Sequence, residues 1–204
     1  MSSQSDSLYR IQDSDIEKAG LVMADAFSND PIWKRILEGC SLKQRSIWFQ
    51  NPVRFCMKYG HAMATSPEIE GFIGWLPGEF SQMTFGRMLK SGISGSSRKI
   101  GWRPMFRMIP PRVFEADRKK HMRDIPYIYV MIVGVSPKFQ GQGFGGKLLR
   151  GVIKESEKRG VPVYLETSTE KNAAMYNHFG FKTLAEINLP KLNLPQWEML
   201  REPE

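Results

Sequence analysis

Four glycines lie within seven residues of this chain, in the segment Gln140-Gly-Gln-Gly-Phe-Gly-Gly146. A β-branched and aromatic run, Tyr127–Val135, precedes the segment, and an apolar helical periodicity over 143–159 follows it. The glycines therefore lie where a strand leads into a helix. Backbone without Cβ atoms can turn several N–H groups toward one point at the positive end of a helix. This pattern predicts an anion site, and a pyrophosphate suits the number of donors.

Two kinds of phosphate site fit this segment. Gly141, Gly143 and Gly146 match the G-x-G-x-x-G spacing of dinucleotide-binding folds, and Glu166 follows about 20 residues later. In those folds the first glycine directly ends the strand, whereas residues 136–140 intervene here. The 38 residues after Glu166 are too few for the second half of such a fold. The dinucleotide-binding pattern therefore fits poorly, and a nicotinamide-dinucleotide oxidoreductase is kept as an alternative.

The second kind of site rests on a family resemblance. Gln140–Gly145 resembles the Q/R-x-x-G-x-G/A motif with which GCN5-related N-acetyltransferases, the GNAT family, hold the pyrophosphate of acetyl-coenzyme A. Val133–Pro137 looks like the central strand of that family, and Asn172–Phe181 is similar to its tyrosine-containing helix followed by Gly-Phe. Trp197–Arg201 resembles a common last strand, so the resemblance covers residues 126–201 closely.

The same resemblance suggests a branch of the family and a fold. Tyr164–Ser168 looks most like the branch containing puromycin N-acetyltransferase, with Tyr127 where that branch often has a histidine. The implied fold class is α/β (α+β), with a mixed, mostly antiparallel central sheet, a splayed parallel strand pair and flanking helices. A single N-acetyltransferase domain is expected over 1–204.

Local patterns predict the elements of this fold. Pro52 is expected to kink or restart a helix, and Gly160 and Gly180 are expected to end helices. The predicted strands are 8–12, 61–66, 69–76, 127–135, 161–166, 181–188 and 196–201. Two helices are predicted to begin at Asp13 or Ser14 and at Pro31, and three more are predicted over 42–59, 143–159 and 172–179.

The resemblance also implies a binding site for acetyl-CoA as co-substrate. The backbone of Val133 and Val135 is expected to pair with the pantetheine arm as an added strand would. The Val135 N–H is further expected to polarise the thioester carbonyl. The complete set of implied cofactor-binding residues is Val133, Val135, Gln140, Gly141, Gln142, Gly143, Phe144, Gly145, Gly146, Asn172 and Tyr176.

Two residues are predicted to be catalytic. The Tyr176 phenol is expected to protonate the departing thiolate when an amine attacks the thioester directly. Glu166, at the end of its strand, is a candidate base for the amine, with Glu70 and Glu79 as other candidates. The sequence shows no Cys–His or Ser–His–Asp pattern for a covalent acyl-enzyme and no metal-ligand spacing, so no metal is expected.

The positive charge is concentrated in one segment. The chain carries a net charge of +8, and residues 78–125 hold eleven Lys or Arg against four Asp or Glu. An anionic partner fits this charge, but no RNA-binding motif or zinc spacing favours nucleic acid. One or two short helices over a mobile connection are expected here. Adaptable apolar side chains predict that the segment lines the acceptor site: Met83, Met88, Trp102, Met105 and Met108.

Composition narrows the class of protein. No run approaches 18 apolar residues and the N-terminus lacks an apolar h-region, so neither a membrane span nor a signal peptide is expected. With only Cys40 and Cys56, a cytoplasmic location is expected. The predicted function is acetyl-CoA-dependent transfer to a primary amine of a small molecule or peptide, and a homodimer is compatible with the sequence. A non-catalytic acyl-CoA-binding module is a further alternative.

Overall fold

The structure is a computed structural model that describes residues 7–93, 99–101, 104, 107, 118–123, 125–189 and 192–204. The order of the described helices and strands is the predicted one. Named in chain order, they are β1 (Tyr9–Arg10), α1 (Ile16–Ala26), α2 (Pro31–Ile36), α3 (Leu42–Tyr59), β2 (His61–Ala64), β3 (Gly71–Pro77), α4 (Phe85–Lys90), β4 (Ile128–Val135), α5 (Phe144–Arg159), β5 (Val163–Thr167), α6 (Glu170–His178), β6 (Lys182–Leu189) and β7 (Leu194–Arg201).

The strands form one seven-stranded sheet in the order β1-β2-β3-β4-β5-β7-β6. Neighbours pair antiparallel except β4 and β5, which are parallel. These two strands are joined through α5, and a parallel pair requires such a crossover connection. The predicted fold class, a mostly antiparallel mixed sheet with one parallel pair and flanking helices, is confirmed.

The parallel pair separates soon after it begins. Only Ile128 pairs with Val163 and Tyr129 with Tyr164, although both strands continue further. Past this point β4 contains a bulge toward β3, because Gly74 pairs with Ile132 whereas Trp75 pairs with Val130, which leaves Met131 as the extra residue. A bulge increases twist and bends its strand. The sheet therefore opens between the carboxyl-terminal halves of β4 and β5.

The bulge lies at Met131 and not at Gly134, although a glycine within a strand permits either a bulge or a close approach of another backbone. Gly134 has the close approach. A Cβ atom there would lie 3.1 Å from both the Ala26 Cβ and the Met23 Cε atoms of α1. The missing side chain thus lets α1 pack directly on β4 beside the gap.

Helices cover both faces of the sheet. On one face, α1 and α3 bury Met23, Phe49 and Phe55 against a core that includes Phe72 and Tyr164. On the other, α5 and α6 bury an apolar stripe against the sheet, formed by Leu148, Leu149, Val152, Ala173 and Tyr176. Burial of these side chains from both faces fixes the strands whose ends form the gap.

Polar caps set the helix starts near the gap, with two differences from the predictions. Helix α6 begins at Glu170 instead of 172 because Thr169, not Asn172, is its N-cap, and the Thr169 side chain accepts the Asn172 N–H at 3.3 Å. Helix α3 continues through Pro52, so of the two effects predicted for this proline the restart is wrong, while the kink stays a prediction. Asp30 caps α2 as expected, and its Oδ1 accepts the N–H groups of Ile32 and Trp33 at 3.0 Å each.

Part of the basic segment lies outside the described residues, including the predicted mobile connection and Trp102, Met105 and Met108. The described part contains α4 and a helical turn at 118–121. Within the described ranges, no helix is long and apolar enough to cross a membrane.

Candidate functional site

The glycine-rich turn forms an open corner at the start of α5. Gly141 and Gly143 have φ values of 77° and 85°, in the left-handed region that side-chain-bearing residues rarely adopt. Gly143 is the N-cap of α5, and no side chain caps the helix. The first N–H groups of a helix have no acceptor within it, so this corner presents exposed donors at the positive end of α5.

Side chains around this turn hold it in place. Gln140 donates from Nε2 to the Val135 carbonyl at 3.1 Å, and Gln142 donates to the Lys138 carbonyl at 3.1 Å. Lys147 donates from Nζ to the Thr65 carbonyl at 2.9 Å, which ties α5 to the β2–β3 turn. Phe144 makes an edge contact with Phe139. These side chains therefore brace the turn, and its exposed backbone is left to receive an anion.

The backbone at the end of β4 faces the gap. Ser136, directly after β4, donates its N–H to the Glu70 carbonyl on the β3 side at 2.9 Å. Successive residues of a strand direct their N–H and C=O groups to opposite edges. Val135 and Val133 therefore direct theirs toward β5, which has already diverged. Both residues are half-buried, whereas the sequence predicted a strand buried throughout.

A cavity of about 360 Å³ occupies the opened space between β4 and β5. Val133, Glu166, Asn172 and Tyr176 line it together. The cavity continues past the strands to α2, α3 and α4, where Met83 and Met88 contribute to its wall. Four predicted site residues thus share one cavity, while Gln140–Gly146 lies at the amino end of α5 and does not line it.

Tyr176 is buried beside this cavity. Its side chain is 5% exposed and makes an edge contact with Phe181 at 5.7 Å between ring centroids. No hydrogen bond joins its hydroxyl to another described residue. Burial raises the pKa of Tyr176 well above that of an ordinary phenol because it disfavours the phenolate. The hydroxyl therefore keeps its proton and is suited to donate a hydrogen bond to an anion in the cavity.

Glu166 belongs to a buried cluster on the same wall. One carboxylate oxygen accepts from Arg118 Nη1 at 3.1 Å, and the other accepts from the Tyr129 hydroxyl at 2.8 Å. The Arg118 guanidinium also lies 4.4 Å from the Tyr129 ring centroid. Burial raises the pKa of Glu166, against the opposing effect of Arg118 and Tyr129. Since each carboxylate oxygen has a further lone pair, Glu166 can still accept a proton or hydrogen bond.

The other carboxylates proposed as bases lie away from the cavity. Glu70 accepts from the Thr65 and Ser66 hydroxyls at 2.5 and 2.8 Å. Burial acts to raise its pKa, but these hydrogen bonds and Lys147 outweigh burial and lower it. Glu70 thus stabilises the β2–β3 turn. Glu79 is exposed, and neither residue lines the cavity.

Asp30, the N-cap of α2, is a further carboxylate at the site. It lines the same cavity as Glu166. Burial raises its pKa, while hydrogen bonds from Trp33, Ile32 and Ser168 partly oppose the shift. The sequence Asp30-Pro31 is typical of a helix start, so the N-cap position of Asp30 is a local feature. Its hydrogen bond with Ser168, at the end of β5, joins residues far apart in the sequence. No local pattern contains that contact.

The cluster around Glu166 has a second carboxylate. Glu198 pairs directly with Glu166 across β5 and β7, and its side chain is 1% exposed. The His121 Nε2 atom lies 3.5 Å from Glu198 Oε2. Arg118 and His121 are three residues apart, so a single helical turn of the basic segment reaches both carboxylates. Within the described ranges, no group of three or more His, Cys, Asp or Glu side chains could hold a metal.

Comparison with known proteins agrees with this geometry. Residues 113–183 match the family model for the acetyltransferase (GNAT) domain. Over 96% of its length the chain is 29% identical to an uncharacterized N-acetyltransferase of Schizosaccharomyces pombe, of which it covers 83%. These matches support the GNAT family for this chain. They likewise support an acyltransferase enzyme and therefore favour acyl transfer over the oxidoreductase alternative.

Solved structures share the GNAT fold with this chain. One is a histone acetyltransferase HPA2 and related acetyltransferase from Corynebacterium glutamicum, with 20% identity, a TM-score of 0.65 and coverage of 97% of this chain and 96% of that one. Another is arylalkylamine N-acetyltransferase 2 from Aedes aegypti, with 14% identity, a TM-score of 0.67 and coverage of 97% and 99%. These structures agree with the predicted fold, and the puromycin-type branch stays a prediction.

The open corner at the start of α5 leads to a testable prediction. Gly143→Val should raise the Kd for coenzyme A about 10-fold or more, because a β-branched residue opposes the left-handed backbone that directs the N–H donors, at a cost of about 1–2 kcal/mol. Isothermal titration with coenzyme A measures this change. Gly160→Val is the matched control, since Gly160 at the other end of α5 has a φ of 61° and equally open surroundings. Equal affinities in the two variants would contradict the assignment of the anion site.

Proposed function

We propose that this protein is an acetyl-CoA-dependent N-acetyltransferase that transfers acetyl directly to a primary amine. The observation that carries the proposal is the opened gap between β4 and β5. Backbone groups of Val133 and Val135 face it, the glycine-rich corner lies beyond one end, and Tyr176 lines the cavity within it. An extended arm with amide groups can add to a free strand edge. This arrangement fits a pantetheine chain ending in a pyrophosphate.

Each cofactor-binding residue has a proposed task. The N–H groups of the turn, from Gly141 to Gly146, receive the pyrophosphate, while Gln140, Gln142 and Phe144 hold the turn in shape. The backbone of Val133 and Val135 receives the pantetheine amides. Asn172, one turn into α6 and on the cavity wall, offers its side-chain amide to the same arm.

Acetyl-CoA supplies an acetyl group already activated as a thioester. The Val135 N–H would polarise the thioester carbonyl, in the manner of other backbone oxyanion donors. As the amine nitrogen forms its bond to the carbonyl carbon, the carbon–sulfur bond breaks and sulfur leaves with the electron pair. Tyr176 donates to that sulfur. Glu166 accepts the proton that the amine loses, directly or through water.

The acceptor would enter from the side opposite the cofactor. Phe27 at the end of α1 and helices α2 and α3 border this part of the cavity. The described part of the basic segment supplies Met83, Met88 and Arg118 to its wall. We propose that segment 78–125 forms part of the acceptor site of a single catalytic domain over 1–204.

Thiol release from acetyl-CoA, measured with a broad panel of amines, tests the proposed function. The expected result is saturable release of free coenzyme A that depends on an amine, together with calorimetric binding of acetyl-CoA but not NADH. Binding of acetyl-CoA without turnover of any amine would instead support a non-catalytic acyl-CoA-binding module. Absence of binding to any acyl-CoA would overturn the proposal outright.

A further inference from the structure

The acceptor end of the cavity has an aromatic wall. Phe27, Trp33 and Trp48 all line it, and Trp33 makes edge contacts with the other two at 6.2 and 6.3 Å between centroids. Around them the wall is aliphatic or thioether, formed by Ile32, Ile36, Met83, Met88, Ile93 and Ile100. Rings that already pack edge to face present further ring surface to a third ring. The wall therefore suits a compact apolar group.

Three polar side chains of this cavity offer hydrogen-bond acceptors to a ligand. Gln196 is 4% exposed, and its Oε1 atom has no hydrogen-bond partner among the described residues. Asp30 and Glu166 line the same cavity. A buried acceptor without a donor costs about 1–3 kcal/mol. A ligand that brings N–H donors into this place would recover that free energy.

The charged side chains of the cavity limit the class of ligand further. Arg118 is the only Lys or Arg among the described cavity-lining residues, and it is already paired with Glu166. A carboxylate on the ligand would therefore meet Asp30 and Glu166 with no free cation to offset their repulsion. A second ammonium group along the ligand would lie against the aromatic and methionine wall, where the carboxylate at hand, Asp30, already accepts the N–H groups of Ile32 and Trp33. That charge would lose its water for little pairing in return, which is costly.

We infer that the acceptor is a small monoamine whose amino group is joined by a short linker to an aromatic or similarly compact apolar group. The inference rests on the proposed function and names its substrate class. The amino group lies toward Glu166 and Gln196, and the apolar group lies against Trp33 and its neighbours. A volume of about 360 Å³ is near the lower end of the range for small-molecule sites, which agrees with a compact acceptor.

The test compares kcat/KM for four amines at saturating acetyl-CoA: 2-phenylethylamine, ethylamine, spermidine and glycylglycine. Phenylethylamine should exceed each of the others by about 10-fold or more, since burying a phenyl group contributes roughly 1.5–3 kcal/mol. A higher kcat/KM for spermidine or glycylglycine would overturn the inference and leave the proposed function standing. Turnover of none of these four amines, while another amine of the broad panel is acetylated, would overturn this inference alone. Turnover of no amine in the whole panel would overturn the proposed function, and this inference with it.

Variants locate the preference within the cavity. Trp33→Ala should reduce the ratio of kcat/KM for phenylethylamine to that for ethylamine about 10-fold, because only the first amine uses the aromatic wall. The ratio separates this effect from a general loss of folded enzyme, which would lower both values equally. Leu184→Ala is the control, since Leu184 of β6 is 38% exposed, lies outside segment 78–125 and does not line the cavity. An unchanged ratio in Trp33→Ala would overturn the placement of the apolar group.

Discussion

Tyr176→Phe is expected to lower kcat about 100-fold while leaving the Kd for acetyl-CoA within about twofold. Positioned proton donors typically contribute 10²–10⁴-fold to a rate. The substitution removes only the hydroxyl, whereas the ring that packs against Phe181 remains. A steady-state thiol-release assay measures kcat, and calorimetric titration with acetyl-CoA measures the Kd separately.

Tyr59→Phe is the matched control for this variant. Tyr59 is a half-buried tyrosine whose hydroxyl reaches the Arg87 carbonyl at 3.4 Å, and it does not line the cavity. Its kcat should stay at the wild-type value. The pH profile offers a second check: because burial raises the pKa of Tyr176, ionisation of this phenol should produce no loss of kcat below about pH 10. Unchanged turnover in Tyr176→Phe would remove the hydroxyl from the mechanism.

Arg118→Met is expected to lower the free energy of unfolding by about 3–5 kcal/mol. The Arg118 and Glu166 side chains are only 5% and 10% exposed, so the variant leaves a buried carboxylate without its cation. Methionine keeps much of the packing over the Tyr129 ring. Urea unfolding followed by tryptophan fluorescence measures the loss.

The same variant should show a pH dependence of definite sign. Arg118 lowers the pKa of Glu166, so its removal moves the already raised folded-state pKa further up. At low pH the carboxyl is protonated in both the folded and the unfolded state, so its raised folded-state pKa costs no stability. As the pH rises above the unfolded-state pKa of about 4.3, the unfolded state loses its proton first, and the loss of folding stability grows. The deficit should therefore be larger at pH 8 than at pH 5.

Two further variants separate the buried pair from general effects. Lys120→Met removes an exposed cation from the same helical turn and should change stability by no more than about 0.5 kcal/mol. Adding Glu166→Gln to Arg118→Met should recover part of the loss, since no unpaired charge remains. A deficit in Arg118→Met that is small and independent of pH would contradict the role given to this pair.

Features encoded within a few residues were predictable from the sequence. The glycine-rich turn, the strand before it and the helix after it are one continuous segment, so backbone freedom and apolar periodicity determine them locally. Side-chain caps are similarly short-range, which explains why Asp30 was correctly placed at a helix start. Helix α6 begins two residues before its predicted start. Thr169 and Asn172 are both suitable N-cap residues, and their side-chain chemistry alone does not decide which of them caps the helix.

The cavity, by contrast, is a product of tertiary structure. Pairing of Gly74 with Ile132 and of Trp75 with Val130 places the bulge at Met131, a register that depends on two strands more than 50 residues apart in the sequence. Arg118 and Glu166 form their ion pair across 48 positions of sequence. The hydrogen bond between Asp30 and Ser168 joins residues that are still farther apart in the sequence. Local patterns determined which elements form and where the anion-binding turn lies. Packing between distant elements decided which carboxylates, rings and amides share the acceptor cavity, because those contacts arise only when the helices close over the opened sheet.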